Sequence, residues 1–144
     1  EIQAIVDLVA GRAPVSAAGG ELVDWAATVD TQGAARPIRG LSLAKIGLAQ
    51  CGSVSAWREL WRRWAGSLPA GTEPVAVAYA DADRAASPDW REVLDLAVDR
   101  HAAFMLVDTF DKTAGTLVDH WSRRQLAEVA SRSRTCGALT TTPT

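Results

Sequence analysis

The chain has 144 residues with the apolar and charged fractions of an ordinary globular domain, enough for one core. Its net charge of −2 excludes the basic footprint of a nucleic-acid binder or a polybasic membrane surface. No run of about 18 apolar residues occurs and the start lacks a signal-peptide layout, so a cytoplasmic protein without a membrane partner is expected.

Cys51 and Cys136 lie far apart without metal-ligand spacing and read as reduced packing residues. Arginine supplies almost all the positive charge; Lys45 and Lys112 are the only lysines. GC-rich codon usage would explain why lysines are few but not where they sit, so each invites a specific explanation. The first residue is Glu1, and the chain enters directly on the helical stripe Ile2, Ile5, Val6 and Val9 with no preceding cap. A fragment of a longer protein is expected.

In chain order, residues 1–10 read as that helix, stopped by Gly11. Residues 13–18 are short, partly β-branched and closed by Gly19-Gly20, which predicts a strand. A helix over 21–34 places Leu22, Trp25, Ala26 and Val29 on one face, before Gly33, Pro37 and Gly40 break the chain. Residues 41–48 form the next predicted strand, carrying Lys45. Ser53 or Ser55 is expected to cap a helix whose stripe is Val54, Trp57, Leu60, Trp61 and Trp64, a pattern of core packing rather than of a base-stacking platform.

Residues 74–81 read as a strand ending in Tyr79 and Asp81. Ser87-Pro88 reads as a cap with a first-turn proline, opening a helix with Trp90, Val93, Leu94, Ala97 and Val98 inward. The apolar run from Phe104 to Val107 is too short for a core helix and predicts a buried strand. It ends in Asp108, Asp111 and Lys112, with Gly115 loosening the turn before a helix expected over 116–133. Residues 136–139 resemble the opening of another strand, and 140–144 read as a disordered tail outside a domain of residues 1–139.

The order is α, then βα four times, then a stump of β. Such alternation with short loops means parallel strands joined by right-handed crossovers, whose two homes are the TIM (β/α)8 barrel and the doubly wound sheet. Four units make half a barrel, since a whole one takes about 250 residues. No glycine-rich dinucleotide or triphosphate loop follows any strand, and no cofactor is expected.

Ionisable groups where a buried strand meets a βα loop stand where α/β folds do chemistry. Asp81 and Asp108 end successive strands, Lys45 lies within the strand before them, and Lys112 in the loop after. In a barrel these positions converge on one mouth. Lys45, set among Leu43, Ile46 and Leu48, would be costly against the helix layer but near the mouth could pair with Asp108 or bind a substrate anion. Lysines beside carboxylates in a partly dry cavity suit carbonyl chemistry, through an imine or through proton transfer. The plainer alternatives are a polar turn with a capping aspartate and a Lys45 that snorkels at a strand end. His101 precedes a strand and reads as structural, His120 reads as a surface or packing residue, and no His/Cys/carboxylate cluster suggests a metal.

Val107-Asp-Thr-Phe-Asp-Lys-Thr-Ala-Gly-Thr-Leu-Val-Asp-His120, joined with Leu43-Ala-Lys-Ile-Gly-Leu48 and Val75-Ala-Val-Ala-Tyr-Ala-Asp81, resembles the (5-formylfuran-3-yl)methyl phosphate synthase family, also called 4-(hydroxymethyl)-2-furancarboxaldehyde-phosphate synthase. The likeness runs from about residue 1 to residue 139 and includes Pro14-Val-Ser-Ala. It implies a partial TIM barrel, strands three to six, from a lyase that condenses two molecules of glyceraldehyde 3-phosphate into a furan aldehyde phosphate. The implied chemistry is aldolase-like imine formation with loss of water and one phosphate, feeding methanofuran-type cofactors of one-carbon metabolism.

By the same resemblance, Asp108 is the general acid/base, Lys112 a proton carrier or phosphate partner, and Lys45 a charge stabiliser beside the imine. Ser16 and Asp81 are the substrate-binding candidates. The family's imine-forming lysine lies in an Asp-x-Lys-Asp-Pro segment on the second strand that these 144 residues do not contain. After Leu139, threonines replace the family's Ala-Gly-Ser-Leu of the phosphate site. The expected partner is a small phosphorylated aldehyde. The alternatives are another class I aldolase-like barrel and an inactive truncated fragment that self-associates through unclosed sheet edges.

Overall fold

Hydrocarbon on alternate residues of four short segments, and tryptophan at helical spacing between them, produce a parallel sheet with helices packed on it. The computed structural model describes residues 1–33, 37–102, 104–135 and 140–143. The strands are β1 (Ser16–Glu21), β2 (Leu43–Gly47), β3 (Glu73–Tyr79), β4 (Phe104–Asp108) and β5 (Thr140–Pro143). The helices are α1 (Ile2–Val9), α2 (Leu22–Gln32), α3 (Trp57–Gly66), α4 (Ala82–Ala85), α5 (Trp90–Asp99), α6 (Leu117–His120) and α7 (Arg123–Thr135).

All strand pairs are parallel and the sheet order is β1-β2-β3-β4-β5. A doubly wound sheet reverses its order at a switch point, whereas strands that follow the sequence are those of a barrel arc. The fold is therefore α/β, a parallel sheet consistent with part of a barrel.

Ala44, Ile46, Ala76, Ala78, Met105 and Val107 pack with Trp57, Trp61, Trp64, Trp90, Val93 and Leu94 in one buried cluster. The intervening residues Val77, Tyr79 and Leu106 form a smaller cluster with Ala49 and Ala85 on the other face. Small alanines on the sheet leave room for the indoles, and the tryptophan stripe is core, as its spacing implied.

Several boundaries differ from expectation for identifiable reasons. The first strand is Ser16–Glu21 rather than 13–18, because Gly19-Gly20 continues it: Gly20 takes φ +83° within a register irregularity against β2. Neither Ser53 nor Ser55 caps α3, whose N-cap is Ala56, and α5 is capped by Asp89, accepting from the Arg91 N–H, not by Ser87. The single helix expected over 116–133 is two. Trp121 is extended, and Ser122 with Gln125 makes a fresh capping box that restarts the helix as α7. On α1 only Val6 is buried, while Ile5 and Leu8 of the apolar segment lie exposed.

Thr140–Pro143, expected within a tail, instead pairs in parallel with Phe104–Val107, which suits β-branched threonines with a proline on an edge strand. The strand opening expected over 136–139, with Cys136, lies outside the described residues.

Trp61 is fully buried at the centre of the indole layer. Trp61→Ala should lower the unfolding free energy by about 3–5 kcal/mol, measured by urea denaturation of both proteins.

Candidate active site

Strand alternation decides which side chains leave the helix layer. Ala44 and Ile46 face the tryptophans, so Lys45 and Gly47 face the opposite way, as do Val77, Tyr79, Leu106 and Asp108. On that face Ala18, Gly20, Glu21, Lys45, Gly47, Val77, Tyr79, Leu106 and Asp108 line a cavity of about 190 Å³. Lys45 and Asp108, two strands apart, thus border one space, with the aliphatic groups of Val77 and Leu106 also in its wall. Among the described residues Lys45 makes no side-chain hydrogen bond or ion pair. A second cavity of about 290 Å³, bordered by Ile2, Trp25, Leu41, Trp64 and Leu68, is apolar and offers no acid or base besides Lys45, which touches both.

Asp108 ends β4. Its Oδ1 accepts the Thr109 N–H at 2.8 Å and pairs with the ammonium of Lys112, which also donates to Thr109 Oγ1 at 3.2 Å. The Lys112 side chain is 63% exposed against 25% for Asp108, so the pair is a solvent-facing contact over a partly buried acid rather than a buried ion pair.

Asp81 is buried and fully engaged: Oδ1 accepts the Phe110 N–H at 2.7 Å and Oδ2 the Asp111 N–H at 2.9 Å. Burial pushes its carboxyl up, but the amides of Asp111 and Phe110, with His120 nearby, outweigh that and hold it below the ordinary aspartate value. Asp81 therefore shapes the loop that carries Lys112. Ser16 is exposed at the first residue of β1, the opposite strand end from Asp108, and does not line the cavity.

One residue that sequence reasoning passed over is Glu21, at the end of β1. Its Oε1 accepts the Tyr79 hydroxyl at 2.8 Å and its Oε2 the Ala49 N–H at 2.8 Å. Burial, the bond to Glu21 and the charges of Glu21, Asp108 and Asp81 push the Tyr79 phenol far above its ordinary value, so it is a neutral donor. The local signal is Glu21 directly following a Gly-Gly pair, which by sequence alone reads equally as the start of a helix. Cys51 is buried and free, its thiol pushed up to about 11 by burial and by Glu21, as suits a packing residue. His101 is exposed in a turn ahead of β4 with φ +51°. His120 closes α6 and lines a separate cavity with Asp81, Arg84 and Trp121. Among the described residues no group of three His, Cys, Asp or Glu side chains is placed to hold a metal.

Glu21, Lys45, Tyr79 and Asp108, drawn from four neighbouring strands, define an α/β protein of the parallel βα-repeat class with a candidate acid–base site towards the carboxyl edge of its sheet. A family model described as 4-HFC-P synthase matches residues 1–141, and the chain belongs to that family. No curated protein matched it.

Asp81→Asn leaves one acceptor and turns an NH₂ against the other loop N–H, which should cost about 1–3 kcal/mol. Because the folded carboxyl is depressed, its contribution is present above the ordinary aspartate value and is lost as pH falls through the folded one. Urea midpoints at about pH 6 and about pH 3 should therefore fall less steeply in the variant than in the wild type.

Proposed function

We propose that this chain carries the lysine–aspartate portion of a (5-formylfuran-3-yl)methyl phosphate synthase, a cytoplasmic lyase that condenses two glyceraldehyde 3-phosphate molecules. In this reading β1 to β4 are strands three to six of a (β/α)8 barrel, with β5 following them in order, and the product feeds a methanofuran-type cofactor. The observation that supports it is the shared cavity of Lys45 and Asp108 in a chain of the 4-HFC-P synthase family.

The roles follow from position. Asp108, held by the Thr109 amide and part-shielded, is the general acid/base. Lys112, exposed on the loop fixed by Asp81, can swing between Asp108 and a substrate phosphate, carrying a proton or a charge. Lys45, whose ammonium has no partner among the described residues, stabilises negative charge developing on a carbonyl oxygen in the cavity. The imine-forming lysine belongs, in this reading, to the Asp-x-Lys-Asp-Pro segment outside these residues, and Lys45 is not given that role. Asp81 serves the substrate through the loop it fixes; Ser16, at the far strand end, has no part in the arrangement.

The sheet has β1 and β5 at its edges, which favours self-association. Sedimentation velocity of the chain is expected to show species larger than a monomer, and a strictly monomeric boundary would count against it.

In the protein carrying the whole coding sequence, Lys45→Ala and Asp108→Asn should each lower furan aldehyde formation from glyceraldehyde 3-phosphate by about 10²–10⁴-fold, and Lys112→Ala by less. A full rate in Asp108→Asn would reject the assignment. Borohydride trapping with a different carbonyl substrate, and none with glyceraldehyde 3-phosphate, would point instead to another class I aldolase-like reaction.

A further inference from the structure

Glu21 is paired in register with Gly47 across β1 and β2, and a Cβ on Gly47 would fall 2.3–2.5 Å from the Glu21 carboxylate. Real Cβ contacts are not that close, so a side chain at 47 would push the carboxylate out of the place it holds across the end of β2. There it accepts from the Ala49 N–H beyond β2 and from the Tyr79 hydroxyl on β3, so one side chain ties three successive strand ends together. Tyr79 in turn sits beside Asp108 in the β3–β4 register, and its ring meets that of Phe110 edge-on at 5.5 Å. Phe110 is the residue whose N–H Asp81 holds.

We propose that Glu21 is a positioning residue of the active site, seated by Gly47 and acting through the phenol of Tyr79 and the end of β2 on the cavity that Lys45 and Asp108 share. The claim about geometry is independent of the reaction; the claim about rate rests on the reading of function above. Glu21 commits the single phenol proton to itself, so the phenol oxygen is left an acceptor towards the cavity, and the β2 backbone that carries Lys45 is fixed at its far end. Burial and the three surrounding carboxylates keep Tyr79 protonated, which maintains the bond.

The sequence offers an unusually clean test, because it contains one tyrosine and two lysines. Labelling the chain with [ζ-13C]tyrosine and [ε-13C]lysine gives three signals, for Tyr79, Lys45 and Lys112. Glu21→Gln, which removes the charge, and Gly47→Ala, which displaces the carboxylate without altering it, should both move the Tyr79 and Lys45 signals. The double variant should move them no further than the larger single change, since both act on one contact. In the whole enzyme each single variant should lower kcat by about tenfold or more with KM within about twofold, the pattern of a lost alignment rather than lost binding.

An unmoved Tyr79 signal in Glu21→Gln would overturn the proposal, and so would moved signals with an unchanged kcat. If Gly47→Ala does not fold, Tyr79→Phe replaces it: loss of the hydroxyl alone must reproduce the fall in kcat, and full activity would overturn the role. If the wild type makes no furan product, the functional reading fails by itself. The Lys45 signal in Glu21→Gln then decides the positioning claim, upholding it if displaced and overturning it if not.

Discussion

The strand-borne ionisable groups of the site face the cavity because an indole layer covers the other face of a parallel sheet. Trp57, Trp61, Trp64, Trp90 and Trp121 bury themselves against Ala44, Ile46, Ala76, Ala78, Met105 and Val107, leaving no room there for a charged stem. With a side-chain period of two, each strand must then present its remaining residues to the other side. A one-residue slip of β2 would exchange Lys45 for Ile46, burying an ammonium among tryptophans at a cost far above that of any single hydrogen bond. Hydrophobic packing thus fixes the register, and the register delivers the lysine.

Packing sets the direction of these side chains but not their fine placement, which depends on polar contacts between neighbouring loops. The Gln50 N–H bonds Ala85 O at 2.8 Å and the Gly52 N–H bonds Ala86 O at 2.8 Å, joining the loop after β2 to that after β3. Gly52 is glycine for a reason the geometry supplies, since a Cβ there would meet Ala86 O at 2.9 Å. Asp81 joins the loop after β3 to that after β4, and Glu21 joins the ends of β1, β2 and β3. Each βα loop is held by its predecessor, a construction that keeps groups from different strands at constant separation.

What was legible in the sequence follows the same division. Phe104-Met-Leu-Val-Asp108 could be read as a buried strand ending in an acid because hydrophobic run length and a polar stop are local facts. The tryptophan stripe of α3 and the buried face of α5 were legible for the same reason. Glu21 was not, because its importance lies in partners 28 and 58 residues away, Ala49 and Tyr79, and nothing local distinguishes it from a first-turn acid. Gly19-Gly20 reads locally as a break because glycine weakens strands, yet the strand runs through it, with Gly20 at φ +83° inside the register irregularity against β2. The restart at Ser122 was written in a capping box but hidden by an apolar periodicity that continues across it. Ser16 was carried by resemblance alone, and its place at the strand start shows why strand membership does not fix which end of a sheet a residue serves.

The contrast between the two lysines is the last consequence of this architecture. Lys45 rises from a strand whose both neighbours are paired, so its backbone cannot move without breaking the β1–β2 and β2–β3 ladders. Lys112 stands on a loop, mostly exposed, and its tie to Asp108 is of the weak, solvent-screened kind. The cavity is therefore bordered by one amine held in place, while the amine paired with Asp108 is free to exchange partners at little cost. The proposed acid–base chemistry would use both properties, a fixed charge to define where a reacting oxygen rests and a movable one to relieve the acid when its protonation state changes. With only two lysines in the chain, one on the sheet and one on a loop, the fold gives one of each kind, and the proposed function divides those tasks between them.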